Sequence, residues 1–188
     1  MFSQIFSLLL DLVAGILTGG FLLRLYMQYL RIPLSARFGN PLGRFVLALT
    51  DWLVLPLRRL FPFVGGLDTA CLVAIYALQC SMFGLLWLLA GVGGSFASVL
   101  VLAAFGVIHT AVTGMTGIVI IYAVLSWVPG RTVMTDLMDR LVTPPLTPIR
   151  RVLPLLGGMD LSPLVLLVLL QIIAIVLAHL QPTVLMAL

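Results

Sequence analysis

Residues 69–130 read TACLVAIYALQCSMFGLLWLLAGVGGSFASVLVLAAFGVIHTAVTGMTGIVIIYAVLSWVPG, and none of these 62 residues is Asp, Glu, Lys or Arg. A transmembrane helix needs roughly 20 apolar residues. The stretch is therefore too long for one such helix and long enough for two. The turn-forming cluster GVGGS at 91–95 divides it near the middle. We predict a hairpin of two membrane-spanning helices.

The composition of the whole chain agrees with this prediction. The 188 residues are 62% hydrophobic and 9% charged, whereas soluble domains average about 25% charged residues. A mean hydropathy of +1.26 cannot be accommodated in a small soluble domain, because roughly a third of the surface of such a domain stays exposed. The sequence therefore excludes the soluble globular class and predicts an integral membrane protein.

Two further hydrophobic stretches lie outside the central one. The four predicted spans run from about 5 to 29, 69 to 89, 102 to 127 and 162 to 180. The first lacks a basic segment before it, and Asp11 interrupts its apolar run. We therefore expect the first helix to be retained and not cleaved as a signal peptide.

Nine of the ten Arg residues lie between the first and second spans or between the third and fourth. Basic residues beside hydrophobic spans favour the cytoplasmic side of a membrane. We therefore attribute the net charge of +4 to the orientation of the chain in the membrane, and we expect no nucleic-acid partner. We predict a multi-pass protein of the cell inner membrane with both termini in the periplasm.

The two Arg-rich segments also have the pattern of helices. Asn40-Pro41 reads as an N-cap followed by proline at the first helical position. Beyond it, Phe45 and Val46 fall on an apolar face, and Arg44 and Asp51 fall on another. The segments 41–61 and 133–152 are predicted to be amphipathic helices lying in the membrane interface.

An internal repeat is the most specific feature of the chain. Residues 56–68 read PLRRLFPFVGGLD and residues 148–160 read PIRRVLPLLGGMD, so seven of thirteen positions are identical at an offset of 92. We call these stretches the first and second motifs. Each precedes a span that leaves the same side of the membrane, which makes the repeat parallel. The predicted fold is an all-α membrane protein with four transmembrane helices in two parallel helix–amphipathic loop–helix repeats, at 1–92 and 93–188.

The chain resembles the YggT family, also called YlmG. The resemblance rests on FLLRLYMQY at 21–29, Asn40-Pro41, the two PxRRxxP stretches, SWV at 126–128 and GGMDLSPL at 157–164. It covers nearly the whole chain. The first motif is followed by TAC at 69–71, where the second is followed by LSP at 161–163, so the two copies need not be equivalent.

The resemblance implies a modest set of functions. Plastid and cyanobacterial relatives, often with one repeat, are associated with haem attachment to cytochrome b and with membrane organisation. Bacterial members are linked to the neighbourhood of cell division and to osmotic-stress phenotypes. No enzymatic activity is established for the family, and we expect none here.

The identical motif positions are the candidate site. An Arg pair at the interface attracts anionic lipid, and an Asp before a span accepts free helix N–H groups. We favour a hinge that fixes how the chain returns into the bilayer, then a docking site for lipid headgroups or a protein partner, and last catalysis. The positions are Pro56, Arg58, Arg59, Pro62, Gly65, Gly66, Asp68, Pro148, Arg150, Arg151, Pro154, Gly157, Gly158 and Asp160.

Four polar residues are predicted within the membrane: Asp11, Arg24, Gln79 and Gln171. Arg24 could extend to the interface or pair with an acid of the other repeat, and Asp11 could be interfacial or line a polar pocket.

Two histidines raise the question of a cofactor. His109 and His179 lie at similar predicted depths, which leaves a bis-His haem open. Because no other haem feature accompanies them, we expect no cofactor and no metal.

Two functional hypotheses follow. The first is a non-enzymatic membrane scaffold or assembly factor that binds anionic lipid and a membrane-protein partner or a second copy of itself. It would support membrane organisation, cell division or cytochrome and cofactor assembly. The alternative is a channel or transporter in osmotic or ion homeostasis, lined by the four intramembrane polar residues.

Overall fold

A computed structural model describes residues 2–34, 41–61, 68–90, 96–127, 130, 132–152 and 160–186. Every regular element in these ranges is an α-helix, so the predicted all-α class is confirmed. The helices are α1 (Phe2–Tyr29), α2 (Pro41–Leu57), α3 (Thr69–Ala90), α4 (Phe96–Ser126), α5 (Val133–Val152) and α6 (Ser162–Met186).

Four of these helices are long and apolar enough to cross a membrane, as the sequence predicted. The candidate spans are Ser7–Tyr29, Thr69–Leu88, Phe96–Ser126 and Ser162–Met186. The third begins earlier than expected and the fourth ends later. The predicted bounds were based on the length needed to cross the hydrocarbon region. A helix can extend beyond that region, because it ends only where the sequence contains a stop signal.

Helix α1 packs against α2 and α3, and α4 packs against α5 and α6 in the same way. Contacts of α4 with α1 and α3 join the two sets. Phe21 and Val54 belong to the core of the first set, and Val142 and Leu170 to that of the second. Each short helix therefore lies against the two long helices that it connects.

Both short helices lie at the same end of the bundle. Helix α1 ends in a Schellman turn, in which Ile32 donates its N–H to the carbonyl of Met27 at 2.9 Å and Arg31 has a φ of 55°. Met27 and Ile32 then share a core with Leu137 and Leu141 of α5. The end of α1 that leads to α2 is thus also the end that contacts α5. The division into two repeats at residues 92 and 93 stays a prediction.

The inner faces of α2 and α5 match at the repeat offset. Val46 and Val54 of α2 are buried, and so are the residues 92 positions later, Met138 and Leu146 of α5. In each helix these positions face the two long helices beside it, which explains why both copies are apolar there.

The outer faces of the two short helices differ. Phe45 of α2 is 62% exposed and Trp52 is 59% exposed, whereas the exposed residues of α5 include Asp136, Asp139 and Arg140. The sequence placed Phe45 and Val46 on one face, but the structure sends Val46 into the bundle and Phe45 outward. Helix α2 is apolar both on the side that packs against the long helices and on the side that faces outward. Helical periodicity alone does not show which of these two sides is packed.

Candidate functional site

The first motif is closed by an ion pair. Arg58, just after α2, donates to Oδ2 of Asp68, just before α3, through both Nη2 and Nε, the latter at 3.0 Å. The Asp68 carbonyl accepts the N–H of Cys71 at 3.0 Å in the first turn of α3. This arrangement ties the end of α2 to the beginning of the next span. Pro62, Gly65 and Gly66 of the motif lie outside the described residues.

The second motif makes the same ion pair. Arg150 donates Nε to Oδ2 of Asp160 at 2.9 Å, and its Nη2 lies 2.8 Å from the same oxygen. Oδ1 of Asp160 accepts the N–H of Ser162 at 3.0 Å and caps α6, as expected for an acid at a helix N-terminus. The second motif adds a partner, because Arg150 Nη2 also donates to the hydroxyl of Tyr122 at 3.1 Å. Pro154, Gly157 and Gly158 lie outside the described residues.

The ionisation of the second pair reflects these contacts. Partial burial alone would raise the pKa of the Asp160 carboxyl, but the hydrogen bonds from Ser162 and Arg150 outweigh it and lower that pKa below its ordinary value. Burial acts to lower the pKa of the Arg150 guanidinium, and its bonds to Asp160 and Tyr122 raise it overall. Both groups are therefore held in their charged forms.

The two pairs differ in their exposure to solvent. The side chain of Asp68 is 1% exposed and that of Asp160 is 31% exposed. Water screens an exposed pair and leaves it little net energy, whereas a buried carboxylate depends on its partner. The two ion pairs therefore have the same geometry, but we expect the buried one to contribute more to the stability of the fold.

The second Arg of each motif is placed differently from the first. The side chains of Arg59 and Arg151 are exposed, like those of Arg58 and Arg150, but neither makes a hydrogen bond or an ion pair with any residue in the described ranges. Pro56 lies in the last turn of α2 and Pro148 lies within α5. Each motif therefore combines one Arg that ties two helices together with one Arg whose side chain has no partner among the described residues.

The sequence that contains these two motifs matches a model of a protein family. A family model described as CCB3/YggT matches residues 3–89 and 101–181. The chain belongs to the CCB3/YggT family. The two matched segments contain the first and second motifs, respectively.

Individual bacterial relatives match over most of their length. A Vibrio alginolyticus protein, described as uncharacterized and lying in the proC 3′ region, is 37% identical over 172 residues, which cover 90% of this chain and 89% of the relative. The Escherichia coli K12 protein YggT, also described as uncharacterized, is 32% identical over 169 residues, covering 89% and 86%. A Pseudomonas aeruginosa protein is 36% identical over 147 residues, covering 76% and 73%. No solved structure matches the chain.

Arg24 of this family member lies in a buried polar cluster that the sequence did not predict. Its side chain is 2% exposed and its Nη1 donates to Asp51 Oδ1 at 2.7 Å and to Thr50 Oγ1 at 2.5 Å. The acid that pairs with Arg24 therefore lies on α2 of the same half and not in the other repeat. The available signal was Asp51, the one acid of α2. At the repeat offset, the second half has Thr116, Val142 and Thr143 instead.

The four polar residues that the sequence placed within the membrane are not all in one place. Asp11 and Gln79 line a common cavity together with His109, whereas Arg24 and Gln171 are not among its lining residues. Gln171 is exposed on α6. His179 makes a hydrogen bond to the carbonyl of Ile175 at 2.9 Å. Within the described ranges, no group of three His, Cys or Asp residues is placed to hold a metal ion.

Tyr26 connects the two halves through a contact that the sequence analysis missed. Its hydroxyl donates to the carbonyl of Leu141 in α5 at 2.8 Å. In a regular helix that carbonyl would accept the N–H four residues later, but that residue is Pro145, which has none. The tyrosine thus satisfies a carbonyl that the proline leaves open.

Replacing Tyr26 by phenylalanine is expected to lower the free energy of unfolding by about 1 kcal/mol, since it leaves this carbonyl without its donor. Thermal unfolding in detergent measures the change. The control is Tyr29→Phe on the same helix, because Tyr29 is 67% exposed and its hydroxyl makes no hydrogen bond with a residue in the described ranges. An equal effect of both substitutions would contradict the role of the hydroxyl.

Proposed function

We propose that this protein is a non-enzymatic scaffold or assembly factor of the bacterial inner membrane, with its two motifs on the cytoplasmic face and its termini in the periplasm. The observation that carries the proposal is that only one Arg of each adjacent Arg pair is held in an ion pair. Arg58 and Arg150 are bound to Asp68 and Asp160, while the side chains of the adjacent Arg59 and Arg151 are exposed and have no partner among the described residues. The fixed Arg holds the exposed one at the same end of the bundle in both motifs.

Exposed Arg residues at a membrane surface favour anionic lipid headgroups. Each Arg near an anionic surface adds about 1 kcal/mol of attraction. The exposed Phe45 and Trp52 of α2 support this placement, because aromatic side chains favour the headgroup level. Together they would hold the motif end against the anionic leaflet.

Helix α5 offers a surface of a different kind. Its exposed residues Asp136, Asp139 and Arg140 are too polar to lie in the acyl region. They suit a protein partner or a second copy of this chain at the cytoplasmic side. In this proposal α2 faces lipid and α5 faces a protein, and the pairing of the two supports membrane organisation, cell division or cytochrome and cofactor assembly.

The test is affinity purification from native membranes, followed by identification of the lipids and proteins that accompany the chain. The variant Arg59→Ala/Arg151→Ala is expected to lose at least about tenfold of the associated anionic lipid, together with its protein partner. Arg140→Ala is the control for the lipid measurement alone, because it removes an exposed Arg whose charge Asp136 and Asp139 offset on the same helix, and its lipid recovery should stay unchanged. Unchanged lipid and protein recovery in the double variant would refute the proposal.

A channel or transporter in osmotic or ion homeostasis is the second candidate, and one observation favours it. Asp11 and Gln79 line the same cavity between the long helices. If the chain conducts ions, reconstituted liposomes show a flux that Asp11→Ala abolishes and Arg59→Ala leaves intact. Liposomes without flux would remove this candidate and leave the scaffold proposal untouched.

A further inference from the structure

The cavity between α1, α3 and α4, with Gln181 of α6 at its edge, has a volume of about 610 Å³. We call it the α1–α3–α4 cavity. Asp11 lies 18 residues before the end of α1 and His109 lies 17 residues before the end of α4, which places both about 26 Å along the axis from the motif end. Gln79 lies about 15 Å from that end. The cavity therefore runs from the middle of the bundle toward the end opposite the motifs.

The polar side chains of the cavity are mostly unsatisfied by the protein. Asp11, His109, Thr113 and Gln181 line it, and none makes a hydrogen bond or an ion pair with a residue in the described ranges. Asp11, His109 and Thr113 are exposed, so their side chains face whatever fills the open cavity. The cavity thus has the donors and acceptors of a binding site that the chain itself leaves open.

Two polar residues fix the inner end of the cavity. Gln79 is 4% exposed and donates Nε2 to Thr110 Oγ1 at 3.4 Å, while Thr110 donates to the carbonyl of Gly106 at 2.8 Å. A Cβ added at Gly106 would lie 2.8 Å from Phe83 Cε2 and 3.0 Å from Gln79 Oε1. The glycine therefore makes room for the side chains of Phe83 and Gln79 at this wall of the cavity.

The charge of the cavity indicates the sign of its ligand. Among the candidate spans, only Asp11 and Arg24 are charged. Arg24 is already paired with Asp51 outside the cavity. Asp11 is thus a carboxylate without a counter-charge from the described helices, and a ligand of single positive charge would neutralise it.

The remaining lining narrows the class of cation. Phe83 and Phe105 supply aromatic surface, and aromatic rings attract ammonium groups through their faces. Divalent cations prefer several carboxylate oxygens, whereas this cavity has one acid. Its volume also falls within the 300–1,000 Å³ range, roughly, of small-molecule sites with a few polar groups in an apolar wall.

We infer that the α1–α3–α4 cavity binds a small organic ammonium cation, with Asp11 as the counter-charge and Phe83 and Phe105 as its aromatic wall. Such binding requires neither the scaffold function nor transport. Failure of either leaves this inference standing, and failure of this inference leaves both of them standing.

The experiment is isothermal titration of the full chain in neutral detergent with tetramethylammonium chloride, and separately with sodium and potassium chloride at the same ionic strength. We expect saturable binding of tetramethylammonium and at least about tenfold weaker binding in Asp11→Asn, which keeps the shape of the side chain and removes its charge. Asp139→Asn is the control, because it removes an exposed carboxylate of α5 from outside the cavity. It should bind as the unmodified chain does.

A second variant tests the aromatic wall independently. Phe83→Leu keeps an apolar side chain and removes the ring, and it should weaken tetramethylammonium binding several-fold while the unfolding temperature stays close to that of the unmodified chain. Equal affinity for tetramethylammonium, sodium and potassium would overturn the organic-cation assignment. Undiminished binding in Asp11→Asn would overturn the site itself.

Discussion

Asp51→Asn is expected to lower the free energy of unfolding by about 2–3 kcal/mol, the largest effect of any single substitution proposed for this chain. Arg24 is 2% exposed and relies on Asp51 for its counter-charge. Without that charge, a buried guanidinium remains uncompensated in an apolar setting. The expected loss lies below that of a fully buried pair because the Asp51 side chain is 38% exposed, so water screens part of the interaction.

A double-mutant cycle separates the charge effect from other changes. Arg24→Met/Asp51→Asn should be more stable than Asp51→Asn alone, because the double variant buries no unpaired charge. Unfolding by denaturing detergent, followed by tryptophan fluorescence, measures all four chains. Asp139→Asn serves as the charge-loss control on an exposed face, with an expected change below about 0.5 kcal/mol. Additive effects of the two single substitutions would show that Arg24 and Asp51 do not depend on each other.

Asp68→Asn and Asp160→Asn are expected to differ, although both change the same position of the repeated motif. We expect a loss of about 2 kcal/mol for Asp68→Asn, whose carboxylate is 1% exposed. For Asp160→Asn, with a side chain that is 31% exposed, we expect less than about 1 kcal/mol. Each substitution is the matched control of the other, since the Arg–Asp geometry is the same. Equal losses would mean that burial does not determine the strength of these pairs.

The Asp160 pair also predicts a dependence on pH. Because the pKa of Asp160 is lowered in the folded chain, its stabilising contribution is complete above the ordinary value of 3.8 and disappears as the pH falls through the lower folded value. The stability difference between the unmodified chain and Asp160→Asn should stay constant from about pH 7 to about pH 5 and vanish in stronger acid. A difference that already falls near neutral pH would contradict the lowered pKa.

The repeated motif shows how far the sequence could lead toward the site. Arg58 and Asp68 lie ten residues apart, as do Arg150 and Asp160, so the candidate site already contained the partners of both ion pairs that the structure shows. The sequence could not separate Arg58 from Arg59, because both neighbours have the same chemistry. Only the turn after α2 decides which guanidinium reaches the carboxylate.

The remaining contacts depend on distant parts of the chain. Tyr26 and Leu141 are 115 residues apart, and Asp11, Gln79 and His109 come from three helices. The periodicity of a single helix cannot predict such contacts. It determines which residues share a face of that helix but not which face another helix covers. For the same reason the sequence identified Arg24 as unusual but gave no indication that Asp51 would be its partner.

The sequence by itself determined that the chain is helical and has four segments able to cross a membrane, because hydrocarbon requires long apolar runs with internally bonded backbones. Tertiary structure alone decided which polar side chains are satisfied. Packing buries Arg24 beside Asp51, exposes Arg59 and Arg151, and leaves Asp11 facing a cavity. The physical reason is that the energy of a charge in an apolar medium depends on what lies within a few ångströms of it, and that neighbourhood exists only once the helices have come together.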